Sequence, residues 1–462
     1  MAPSAAGAAN RFGFGARPTD LRSIGSDPIG WLDQQLNGDA PGVGAVGLQS
    51  SSQVLMQVLQ RKQSQRAATP GQPLQKLGQL YRPIYLAEAQ ARLRSAVESE
   101  RPWIERLVHF WSNHFAVSAD KLAVTGIAGA YEREAIRPHV LGSFTSMLLA
   151  VEQHPAMLLY LDNQRSIGPN SRAAALRLRR HSTAGRQPTR ADINENLARE
   201  ALELHTLGVG SGYTQTDVTT FAKVLTGWSV SGGPGDDLAN AGRFEFRASW
   251  HEPGEKTVFG VRYRQDGLEQ GLAVLHTLAR HPATATHIAT KLARHFVADE
   301  PPPGLVARLA HAFLDSDGDL PTVYRALLES EQTWSTEVGK FKTPTDYIVS
   351  AYRALQVTDG DERRSFATFE LLGQRPWSPG SPAGWPDRTE DWDGAAALYK
   401  RVEWAAALAA RLGSRRVAAD LAPAVLGRRL SERTRLAIGR ADSATQALTL
   451  LLASPDFMRR PA

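Results

Sequence analysis

Residues 194–228 read NENLAREALELHTLGVGSGYTQTDVTTFAKVLTGW, and this stretch decides the fold class. Its apolar residues recur at three- and four-residue spacing, the period of an amphipathic helix rather than of a strand. At about 100° per residue, Leu197, Ala198, Ala201, Leu204, His205 and Gly208 share one side of the helix. Glu195, Asn196, Arg199, Glu200 and Glu203 share the other. His205 on the apolar stripe reads as a core histidine bonded to a backbone carbonyl; the alternative is a ring projecting into a polar pocket. On the polar side, Glu195 with Arg199 and Arg199 with Glu203 are i,i+4 pairs, worth only ~0.2–0.5 kcal/mol each when exposed. Covered by another helix, Glu200 and Glu203 become crowded carboxylates. One pKa then rises, which suits general acid–base work, and the oxygens also suit a divalent cation. An ion-pair network and an active-site wall both remain open at this point.

The helical period recurs over 76–97, 102–115, 127–140, 143–160, 215–228, 268–280, 284–297, 304–314, 320–330, 343–356, 395–412 and 443–453. The expected fold is therefore all-α, a large multi-helix single unit spanning 1–462. Residues 40–75 are rich in Gly, Ser and Gln and read as a flexible connection or a surface helix with polar flanks. Residues 229–242 (SVSGGPGDDLANAG) read as a flexible loop. Two alternating runs, RFEFRASW (243–250) and KTVFGVRY (256–263), flank the turn HEPGE (251–255), which predicts one inserted β-hairpin over 243–263. Near the C-terminus, LLAS (451–454) echoes LLES (327–330), but two copies do not make a solenoid.

Composition narrows the chemistry. Hydrophobic residues make up 42% and charged residues 22%, the balance of a soluble globular chain. The chain has no cysteine, which excludes disulfides, thiolate metal sites, iron–sulfur clusters and Cys nucleophiles. No apolar run is long enough for a membrane span. The N-terminal MAPSAAGAANRFGFGARP has no basic region followed by an apolar core, so it is not a signal peptide as it stands, and a cytoplasmic location is expected. The formal charge of +6 is modest for 462 residues.

Four further segments carry candidate chemistry. In PWIERLVHFWSNHF (102–115), Pro102 suits a first helical turn. His109 and His114 lie about 140° apart on the wheel and cannot chelate one metal from a regular helix. His109 pairs with Asn113 at i,i+4 on the polar side, whereas His114 falls among Trp103, Leu107, Phe110 and Trp111 and reads as structural. Ser118, Asp120 and Lys121 follow and turn back towards the polar side. Arg165, Arg172, Arg177, Arg179, Arg180, Arg186 and Arg190 make a basic stretch, read either as an anion site or as a solvated loop. It lacks interleaved aromatics, and no nucleic-acid-binding motif accompanies it, so no nucleic-acid partner is expected. His251 sits in the hairpin turn, where it either completes a site or stays exposed. The acidic run 315–319 is not a calcium loop, because Gly318 stands fourth and Ala326 twelfth. No nucleophile elbow, P-loop or dinucleotide fingerprint occurs.

These segments carry a family resemblance. RFGFG (11–15), HFWSNHF (109–115) with Lys121, NENLARE (194–200), ELHTLG (203–208), GYTQ (212–215), LTGW (225–228), KLARHF (291–296) and GWP (384–386) together resemble the bacterial domain-of-unknown-function 1800 family over nearly the whole chain. The resemblance implies a bacterial protein, often exported and often found beside sulfatase-like proteins, with no settled activity. This chain departs from it modestly: its turn reads His251-Glu252 where relatives more often read His-Asp, and its N-terminus lacks an export signal.

The expected function is a hydrolase-type or metal-assisted enzyme for a polar or anionic substrate, a glycan included. Glu200, Glu203 and His109 would be catalytic. Asn113, Lys121, Asn196, Arg199 and His251 would bind substrate, with a divalent metal as the candidate cofactor and no metal ligand assigned. The alternative is a helical scaffold that binds a partner such as a sulfatase-like neighbour. The enzyme reading requires the polar face of 194–208 to meet residues 109–121 in a concave pocket.

Overall fold

Proline and hydroxyl caps set the helix starts. A computed structural model describes residues 3–67, 76–183, 193–232, 240–334, 339–357 and 360–460. It is 63% helical and 4% strand, as the helical period predicts. The helices that position the site are α1 (Ser51–Ala67), α2 (Pro102–His114), α3 (Phe144–Glu152), α4 (Asn196–Glu200) running into a wider π-helical turn (Ala201–His205), α5 (Gln215–Val224), α6 (Pro282–Phe296), α7 (Pro303–Asp315) and α8 (Pro344–Leu355). Pro102, Pro282 and Pro344 stand in first turns, where a missing N–H costs nothing. Thr343 caps α8 through Asp346 N, and Thr214 forms the capping box of α5 with Asp217.

The core is aromatic where α2 crosses the N-terminal segment and α6. Phe12 packs against Trp103, Phe296 and Trp334 at centroid distances of 5.4, 5.6 and 5.3 Å. Trp103, Trp111 and Phe115 are fully buried. The Trp111 indole donates to the Tyr324 hydroxyl at 2.6 Å, and that hydroxyl donates to Val140 O.

Buried arginines tie distant segments to this core. Arg106 donates to Gly13 O at 2.8 Å, and Arg353 of α8 donates to Gly15 O at 2.9 Å and to Asp20. Arg460, near the C-terminus, donates to His295 O at 2.9 Å.

The strands differ from the expectation of one hairpin over 243–263. Strand β1 (Trp228–Val230) pairs antiparallel with β2 (Phe244–Phe246), Trp228 opposite Phe246. Strand β3 (Lys256–Val258) pairs with β4 (Val261–Tyr263). The run 256–263 is thus itself a hairpin, folded at Phe259 and Gly260. Both have positive φ (47° and 75°), as a two-residue turn that follows strand twist requires. The stretch between β2 and β3 spends its backbone bonds elsewhere: Gly168 N donates to Trp250 O and Ala173 N to Ser249 O.

Of the two readings of 40–75, the flexible connection and the helix with polar flanks, its middle takes the helix, as α1. Ser51 anchors that helix by donating from N and Oγ to Glu134 at 2.9 and 2.6 Å, while Val54 and Val58 are buried. Its polar composition hid two apolar contacts a turn apart. Residues 68–75, and 233–239 of the expected 229–242 loop, lie outside the described residues.

Candidate active site

Side chains from far-separated segments line a cavity of about 330 Å³. Phe14 comes from the N-terminal segment, His109, Asn113 and His114 from α2, and Lys291, Arg294 and His295 from α6. Trp385, Asp387 and Arg388 come from the segment after α8. The i,i+4 spacing on α6 puts Lys291 and His295 on one face, one turn apart.

The 384–388 segment is held against α2 by Asn113. The Asn113 side chain accepts from Trp385 N at 2.7 Å and donates to Trp385 O at 2.9 Å. Gly384 lies so close that a Cβ there would collide with the Asn113 carbonyl oxygen, and its φ is +84°. This clamp delivers Asp387 to the cavity.

Beneath the cavity lies a buried charge cluster. Arg106 meets Asp346 at 3.2 Å, and Lys340 meets Asp299 at 3.1 Å and Asp387 at 3.4 Å. Arg460 stands 3.5 Å from Asp346 and 3.8 Å from Asp387, and its Nε and Nη2 have no hydrogen-bond acceptor. The His295 Nδ1–H donates to Asp387 Oδ2 at 3.1 Å. Burial alone would raise the Asp387 carboxyl, but His295, Lys340 and Arg460 together hold it well below the usual carboxylate range. Burial pushes His295 down to about 4 against the pull of Asp387, so near neutral pH the ring is uncharged. With Nδ1 donating to an ionised carboxylate, Nε2 is the bare nitrogen, and it has no partner.

His109 and Asn113, two of the expected site residues, share this cavity. His109 lies against Phe14 at 4.9 Å, and its Nε2 has no partner. Burial first, then the Arg92, Arg137 and Arg106 charges, hold it well below its ordinary pKa. His114 also reaches the wall while doing structural work: its Nε2 lies 3.2 Å from His205 O.

The structure does not bring Glu200, Glu203, Asn196, Arg199, Lys121 or His251 to that wall. Glu200 and Glu203 are half-buried on α4 and its π turn. Burial raises the Glu200 carboxyl, with His205 and Arg199 opposing and Glu203 adding to the rise. Burial and then a hydrogen bond to Glu203 push Tyr213 up to about 12. Arg199 bonds Glu195 at 3.3 Å and Gln215 at 2.9 Å, and Asn196 is exposed. Lys121 donates to Tyr160 O at 2.8 Å and Asp162 at 2.6 Å. His251 is buried, with Nδ1 3.0 Å from Thr226 O.

His205 is buried as its wheel position predicts, but its partner is a carboxylate rather than a backbone carbonyl: Glu152 Oε1 lies 2.6 Å from Nδ1. Arg165, Arg172, Arg177 and Arg179 of the basic stretch are exposed, and Arg186 and Arg190 lie outside the described residues. Among the described residues no group of three or more His, Asp or Glu side chains is placed to hold a metal ion. Among them also, no helix is long and apolar enough to cross a membrane.

Sequence reasoning missed Lys291, Arg294, His295 and Asp387. One signal was present: KLARHF places a lysine and a histidine one helical turn apart, beside apolar positions that bury them. Asp387 carried no local signal beyond following GWP (384–386).

The chain belongs to the family described as "Protein of unknown function (DUF1800)", which matches residues 7–459. No curated protein and no solved structure matches it.

Proposed function

We propose that this member of a family of unknown function is an enzyme that binds a small anionic organic substrate in the 330 Å³ cavity and moves a proton on it through His295. The observation that carries the reading is the His295–Asp387 pair. The carboxylate fixes ring orientation and tautomer and leaves Nε2 free to accept a proton, the arrangement that makes an imidazole a general base. Anion selection follows from the wall: Arg106, Lys340 and Arg460 are balanced by Asp346, Asp387 and Asp299, so the unbalanced positive charge is that of Lys291 and Arg294. Phe14, Phe110, Trp377 and Trp385 supply apolar walls, and the volume fits a small molecule rather than a polymer segment.

A panel of carboxylates and phosphate esters, read by thermal shift on wild type and Arg294→Ala, tests this. A stabilising anion whose effect is lost in Arg294→Ala supports the reading; no stabilisation by any member overturns it.

A second reading keeps the chemistry on α4. It draws on Glu200, whose carboxyl burial raises, standing beside Glu203 and Tyr213. Glu200→Gln separates the two sites, because a cavity enzyme keeps its anion response in that variant and a Glu200–Glu203 site loses it.

A further inference from the structure

Three lysines of this fold are anchored by oxygen, and the buried Lys342 packs its Nζ over the Phe457 ring at 4.3 Å. Lys256 donates to Glu252 O, Gly254 O and Gln270 at 2.7–2.8 Å. Lys121 donates to Tyr160 O and Asp162, and Lys340 to Arg294 O at 2.7 Å and to Asp387. Lys291 differs: it lines the cavity half-buried, and no described residue accepts a hydrogen bond from it or pairs with it as a carboxylate. Its neighbour Arg294 is likewise without a carboxylate, its Nε donating only to Asp299 O at 3.2 Å. The His295–Asp387 pair stands one helical turn further along the same face.

We propose that Lys291 is an imine-forming nucleophile whose substrate is a carbonyl compound carrying an anionic group. This rests on the cavity reading above and names its substrate class. Arg294, which has no carboxylate partner, takes the anionic group. The neutral Nζ adds to the carbonyl carbon, the C=O π pair moves to oxygen, and one amine proton is passed to that oxygen, giving a carbinolamine. The hydroxyl then departs as water with the second amine proton, and the nitrogen lone pair closes the C=N bond. Both protons end in the water, and no other reagent is consumed. His295, which lines the same cavity one turn further along α6, is the group assigned to carry them.

A lysine works this way only when part of it is uncharged. Burial, with Arg294 adding and Asp387 opposing, holds Lys291 at about 8. About 2.5 units below an exposed lysine mean about 300-fold more free amine near neutrality.

The test uses the full chain with glyoxylate in one arm and pyridoxal 5′-phosphate in the other, each reduced with sodium borohydride and mapped by peptide mass spectrometry. The expected result is an adduct at Lys291 formed about tenfold or more faster than at the exposed Lys62 and Lys400. A faster glyoxylate arm assigns the anion as a carboxylate; a faster pyridoxal phosphate arm assigns a phosphate. Labelling of Lys291 no faster than Lys62 overturns the proposal, and equal labelling by propanal overturns the anionic class. Lys291→Arg separates the two ideas by thermal shift. If it and the wild type both respond to the stabilising anion but the wild type forms no adduct, the imine falls and the cavity reading stands. If the wild type neither responds nor forms an adduct, both fall.

Discussion

The polar face of α4 and the cavity beside α6 hold similar residue types in opposite arrangements. On α4, Glu195, Arg199, Glu200 and Glu203 are neighbours in sequence, and they meet water, one another and Gln215 and Thr219 of α5. Around the cavity, Arg106, His295, Asp346, Asp387 and Arg460 are scattered along the chain yet packed into contact, with Arg106, Asp346 and Arg460 buried and His295 and Asp387 largely so. Charge density along a sequence therefore says little about charge density in space. The same carboxylate–cation contact is weak when wet and matters when buried, because desolvation sets the cost of leaving either partner alone.

The comparison can be broken by substitution. Asp387→Ala removes the shared partner of His295, Lys340 and Arg460, and the expected loss is about 3–5 kcal/mol in urea denaturation. A loss below about 1 kcal/mol would place the cluster in the same class as the α4 face.

Acid provides the next largest effect. Burial holds His295 at about 4 against the pull of Asp387, and burial first, then neighbouring positive charges, hold His287 at about 4 and His109 and His114 well below 6.5. Between pH 6.5 and 4 the unfolded chain binds protons that the native one refuses. Stability is therefore complete above about pH 6.5 and declines as pH falls towards 4, by up to ~1.4 kcal/mol per pH unit for each histidine. Equal urea midpoints at pH 7 and 5 would contradict this.

Asn113→Ala removes both bonds to the Trp385 backbone, at an expected cost of about 1–3 kcal/mol. Because the clamp delivers Asp387, amide exchange should quicken over 384–388; unchanged exchange there would show that the segment holds itself. The smallest effect belongs to α4: Glu195→Ala should cost no more than about 1 kcal/mol, since its pair with Arg199 is part-exposed.

Much of the fold was legible because helix formation is local. Pro102 at a first turn and the apolar stripe through Leu197 and Ala201 are where the sequence predicts them. Period-two alternation located strand structure near 243–263 but mispaired it, because Gly260 was taken as part of a strand rather than as the turn it makes. Of the candidate residues, His109 and Asn113 line the cavity, but so does His114 from the aromatic side, so the wheel alone does not pick out the wall.

The sequence by itself determined the helical class, the lack of thiol chemistry and the family, all properties of local period and residue type. Only the tertiary structure decided that His295 meets Asp387 across the fold, that Asn113 holds the segment bearing it, and that Lys291 stands on the cavity wall with no salt bridge to any described residue. The physical reason is that an ionisable side chain takes its character from desolvation and from neighbours brought by packing, and neither is set by the residues beside it in the chain.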